Sequence, residues 1–90
     1  MEISTVGEIV QYKLTTSDAT LINQARDGNQ RHGNYAQPGD VYPLLITRVW
    51  GTHPGASVNG QVFTDGNDNL WVTSRIEGDA EGQFTRVRQG

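Results

Sequence analysis

The stretch VYPLLITRVWGTHPGASVNGQVFTDGNDNLWVTSR, residues 41–75, limits the available folds more than any other part of the chain. It carries the densest β-branched and aromatic runs and both tryptophans, interrupted by GTHPGAS and DGND. Runs of that kind, bounded by Gly, Pro, Asn and Asp, read as strands. Strands are expected over 41–50, 58–64 and 70–75, with everything else arranged around them. Strict alternation in the first of these puts Leu44, Ile46, Arg48 and Trp50 on one face and Leu45, Thr47 and Val49 on the other. Both faces carry apolar residues, so this strand should be central or bent across two packed layers. Pro43, which has no N–H to donate, belongs near the strand start, at an edge or at a bulge.

The 58–75 hairpin admits two readings. If Asp65 pairs with Asn69, Val62, Leu70 and Val72 share one face and Phe63 and Trp71 the other. A loop of Gly66 and Asn67, or one of residues 65–68, instead sets Val62 against Trp71 and Phe63 against Leu70. The register therefore decides whether Trp71 serves the core or a surface.

Residues 8–14, EIVQYKL, alternate as a strand with Val10, Tyr12 and Leu14 inward. The period then changes in TTSDATLINQARDG, where Ala19, Ile22 and Arg26 share a helical face beside Leu21 and Ala25. Ser17 is the expected N-cap, with Thr16 as the second candidate, and Gly28 follows the last turn. Residues 28–40 form a polar loop with three glycines, long enough to suggest a binding loop or local disorder. The loop closes at Gln37, Pro38, Gly39 and Asp40 as a type II turn. After the acidic turn EGDAEG, residues 83–88 have the pattern of a charged edge strand. Five short strands and one short α-helix after the first strand predict a small β-rich domain, a curled or partly closed barrel of SH3-like type.

A chain of 90 residues makes one domain, 1–90, that buries about 60% of its unfolded surface. Seven basic residues against ten acidic ones give a net charge of -3, so no global field attracts a nucleic-acid backbone. Long nucleic acid is set aside on that ground. The absence of cysteine removes disulfides, thiol nucleophiles and Cys-based zinc sites. No apolar block of signal-peptide or membrane-spanning length occurs, and a location in the cytoplasm is expected.

No GxSxG elbow, Walker loop or HExxH motif occurs, and Asp65, Asn67 and Asn69 lack the remaining ligands of an EF-hand loop. Catalysis, a resident cofactor and a metal are not expected. The residue types do suit a phosphorylated nucleotide: a guanidinium for phosphate, an aromatic ring for the base, amides for its polar edge. The candidates are Arg31, His32, Asn34 and Tyr35 in the long loop, Arg48 and Trp50 at the end of the central strand, Asn59 beyond the next loop, and Trp71 and Arg75 on the return strand. Arg48 is the sharpest, because an arginine beside Leu44, Ile46 and Trp50 needs a carboxylate, a ligand or a way out to solvent. The plainer account pairs Arg48 with Asp65 or Glu77 and packs Trp71 beneath the helix. A symmetric homodimer would present two such sets of groups.

The series VGEIVQYKL, INQAR, QPGDVYPLLITRVW and VNGQVFTDGNDNLWVTSRIEGD resembles a recurrent group of small proteins of tailed bacteriophages and prophages. The resemblance implies a phage origin and a place in the host cytoplasm. It carries over no functional residues. It makes two roles natural: binding and sequestering a small linear or cyclic nucleotide signal of antiphage immunity without cleaving it, or serving as a structural accessory or host-protein interaction module.

Overall fold

The computed structural model describes residues 2–28 and 32–86. Alternation in IVQYK becomes strand β1 (Ile9–Lys13), which turns Val10 and Tyr12 into the core and leaves Ile9 and Gln11 exposed. Leu14 closes this inward series. Helix α1 (Thr16–Asp27) starts immediately afterwards because Thr15, not Ser17 or Thr16, is its N-cap. Thr15 Oγ1 accepts the Asp18 N–H at 3.0 Å while Asp18 Oδ2 accepts the Thr15 N–H at 3.0 Å, a capping box. The same carboxylate oxygen accepts the Tyr12 hydroxyl at 2.6 Å. Burial, followed by this hydrogen bond to a carboxylate, pushes the Tyr12 phenol far above its ordinary range.

Strands β2 (Val41–Val49), β3 (Val58–Phe63), β4 (Asn69–Arg75) and β5 (Phe84–Thr85) complete one antiparallel sheet of order β4-β3-β2-β1-β5. Ala19 and Ile22 of α1 join Val10, Leu44, Ile46, Val62, Val72 and Phe84 in the core. Helix and core therefore occupy one face of the sheet, here called the inner face.

This arrangement corrects the expected SH3-like barrel. The sheet is open, with β4 and β5 at opposite edges, and the segment after β4 meets β5 only at an isolated bridge between Glu77 and Phe84. A two-residue β5 is too short to supply the ladder that closure requires. The expected edge strand over 83–88 is reduced to Phe84–Thr85, and Val87 and Arg88 lie outside the described residues.

Two irregularities shape the sheet at one end. Ile46 opposes Gly60 and Arg48 opposes Asn59, so Thr47 is an extra residue in β2. On the other side of β3, Val58 opposes Arg75 and Gly60 opposes Val72, which leaves an extra residue in β4, where Ser74 has a left-handed φ of 55°. In the hairpin Phe63 opposes Asn69, Val62 opposes Leu70 and Gln61 opposes Trp71, a pairing that neither expected register contained. Its parity is that of the first, with Phe63 and Trp71 on the outer face.

The long loop is latched where it is described. Gly33 and Gly66 form an antiparallel bridge, and a Cβ on Gly33 would stand 2.5 Å from the Asp65 carbonyl oxygen. Beneath the bridge the buried Arg26 donates from Nη1 to both Asp68 oxygens at 2.9 and 2.8 Å and from Nη2 to Thr64 at 3.1 Å. Burial pushes the Asp68 carboxyl up, but the hydrogen bonds from Arg26 and Thr64 outweigh it and hold the group below its ordinary value.

Candidate functional site

The extra residue at Thr47 reverses the face on which Arg48 emerges. Alternation alone sets Arg48 beside Ile46 in the core; the bulge turns it to the outer face opposite Asn59, and the side chain is exposed. There the guanidinium lies 4.2 Å from the centroid of the Trp50 ring, a cation–π stack. Arg26, Arg75 and Arg86 each reach a carboxylate, whereas among the described residues Arg48 makes no ion pair. The alternative pairing of Arg48 with Asp65 or Glu77 is therefore not formed.

Asn59 fixes this corner. It is 8% exposed, and its Oδ1 accepts the Trp50 Nε1–H at 2.9 Å and the Ser74 N–H at 2.9 Å. Its backbone carbonyl accepts the Thr47 hydroxyl at 3.3 Å. One residue of β3 thus ties together both bulges and the indole. Its Nδ2 donors have no partner among the described residues.

Trp71 stands on the same outer face, 60% exposed. It does not pack beneath the helix, which covers the other side of the sheet. Ile9, Leu45, Gln61 and Trp71 form a continuous row across β1, β2, β3 and β4.

The remaining candidates lie elsewhere. His32 and Asn34 belong to the latch: the His32 N–H donates to Asn67 Oδ1 at 2.9 Å, and the Asn34 side chain donates to Asp65 Oδ2 at 2.7 Å. The Tyr35 hydroxyl donates to Asp27. Arg31 lies outside the described residues. Arg75 opposes Val58 on the inner face, with its guanidinium 4.0 Å from Asp18 and 5.7 Å from the Tyr12 ring centroid. A single pocket holding all nine residues is thus not formed; Arg48, Trp50 and Asn59 meet, with Trp71 on the same face.

Thr47 and Ser74 are not candidates by residue type, and neither LLITRVW nor WVTSR carries a signal that reveals them as bulge positions. Phe63, 42% exposed on the outer face, was recognisable from its parity with Gln61 and Asn59. A cleft of about 240 Å³ lies apart from the corner, between α1 and the hairpin, and is lined by Leu21, Ala25, Thr64, Asp68 and Leu70 among others. The chain matches no family model, no curated protein and no solved structure.

Proposed function

We propose that this protein binds a small phosphorylated nucleotide at the corner formed by Arg48, Trp50 and Asn59, and holds it without cleaving it. The observation that carries the reading is the Arg48 guanidinium, stacked on an indole that is itself locked by Asn59, with no ion pair among the described residues. Arg48 supplies a planar fork for phosphate, the exposed aromatic surface suits a base, and Asn59 Nδ2 suits a base acceptor. The indole is oriented before binding by its hydrogen bond to Asn59, which also ties the two bulges, and Arg48 stacks on it. If the resemblance to phage proteins reflects origin, sequestration of an immune signal is the natural use of such a site.

Calorimetric titration with linear and cyclic nucleotides tests this. Arg48→Ala removes a charge-assisted contact of about 1.5–3 kcal/mol, a loss of roughly 10- to 100-fold in affinity. Recovery of intact nucleotide after heat release distinguishes holding from hydrolysis. Absence of both heat and thermal shift with every nucleotide, at tens of micromolar protein, would remove the reading.

A second reading rests on a different observation. The aliphatic half of the outer face, with Ile9 61% exposed beside Leu45, Pro43 and Val41, suits a structural accessory or a module that docks on a host protein. In that case Trp71→Ala should abolish capture of the protein partner, while Arg48→Ala should weaken only the rim.

A further inference from the structure

The β3–β4 half of the outer face has an order that the corner alone does not use. Phe63, Gln61 and Asn59 follow one another along one side of β3, at intervals of roughly 7 Å. Trp71, opposite Gln61, is the diagonal neighbour of both Phe63 and Asn59, at about 7–8 Å between Cα atoms. Trp50 is tied to Asn59. Three exposed rings therefore run from the hairpin end to the bulge end as Phe63, Trp71 and Trp50, with amides between them and the Arg48 guanidinium at the end.

Charge is distributed in the same sense. None of the five strands contains Asp or Glu; all ten acidic residues lie in the helix, the turns, the loops and the amino-terminal segment. Among the described residues the outer face carries Lys13 at the start-of-β2 end and Arg48 at the bulge end.

From this juxtaposition we infer that the outer face is a stacking track for a short single-stranded oligonucleotide, with Trp71 and Phe63 holding bases beyond the one at Trp50. The inference rests on the nucleotide reading and extends it along the sheet. Every base presents a π-face, so a row of rings takes a strand with little regard to sequence, and interleaved amides satisfy base edges. A duplex keeps its bases stacked on one another and offers this flat face nothing to stack on. Net charge governs the field at a distance and sets aside long nucleic acid; a short strand lying along β3 and β4 meets strand residues that include no carboxylate. Among the described residues Arg48 is the cation beside the track, while Lys13 lies on β1 and donates to the Asp79 carbonyl, so stacking dominates and binding should fall only shallowly with salt.

Anisotropy of dye-labelled homopolymers, from about one to about eight nucleotides, tests the track in both DNA and RNA. Affinity should rise with length over about the first three nucleotides, and duplex of the same length should bind far more weakly. Trp71→Ala and Phe63→Ala should each weaken the longest strand by about 5- to 150-fold, with melting of the free variants close to wild type. A nucleotide that binds through Arg48 but gains nothing from lengthening, and is indifferent to Phe63→Ala, overturns the track and leaves the corner standing. Failure to bind at any length overturns the track; the corner falls with it only when the calorimetric titration with linear and cyclic nucleotides is silent as well. Equal affinity for duplex, or self-association abolished by Trp71→Ala in a protein that ignores oligonucleotides, also overturns the track.

Discussion

On the inner face of the sheet, Val10, Tyr12, Leu44, Ile46, Val58 and Val62 are at most 1% exposed, and the Tyr12 hydroxyl is bonded to Asp18. On the outer face of the same strands, Ile9, Phe63 and Trp71 stay more than 40% exposed, although they are no less apolar. What separates the two faces is the helix. Thr15 and Asp18 start α1 directly after β1, and Ala19 and Ile22 then close over one side of the sheet only. Apolar content alone does not identify a core. A side chain in a packed interior has neighbours on every side, whereas the same side chain on the uncovered face has them on one.

Four substitutions probe that contrast, in falling order of effect on stability. Arg26→Ala leaves the nearly buried Asp68 without its partner and should cost about 3–5 kcal/mol by denaturant titration. In the wild type the Asp68 carboxyl sits below its ordinary value, so its contribution is complete above the unfolded value near 3.8 and fades as pH falls through the lower folded value. The acid limb of stability should flatten in Arg26→Ala; an unchanged limb would show that Asp68 does not contribute there.

Asn59→Ala removes the shared acceptor of Trp50 and Ser74 and should cost about 1–3 kcal/mol. It should also weaken ligand binding, since the indole loses its anchor, whereas a purely structural asparagine would change the melt alone. Ile46→Val, one methyl group fewer on the inner face, should cost about 0.5–1.5 kcal/mol. Trp71→Ala, a whole indole from the outer face, should cost about 0.5 kcal/mol or less. A larger loss for Trp71→Ala than for Ile46→Val would break the distinction between the faces.

The inner face was legible where the backbone is regular. Val10, Tyr12 and Leu14 alternate in EIVQYKL and are all buried; Ala19, Ile22 and Arg26 share the buried side of α1. Legibility failed wherever one residue was added or displaced. An extra Thr47 turns Arg48 over, and a bulge is an arrangement of two strands, which the composition of one does not record. The cap moved to Thr15 because Asp18 serves the backbone and Tyr12 at once, a tertiary contact. Barrel closure was expected from strand count, while β5 formed over two residues only. Residue chemistry named Arg48, Trp50 and Asn59, which meet at one corner; topology, which depends on the whole sheet, sent Arg75 to the inner face, His32 and Asn34 to the latch and the Tyr35 hydroxyl to Asp27 at the end of α1.

The placement of the indoles has a spectroscopic consequence. Both tryptophans of the chain lie on the uncovered face, 50% and 60% exposed, so intrinsic emission of the folded protein should already be shifted to the red. Denaturation should move it little, and a fluorescence melt would suggest an unfolded chain where far-ultraviolet circular dichroism finds a folded one. The same emission becomes a direct reporter of whatever comes to rest on the sheet.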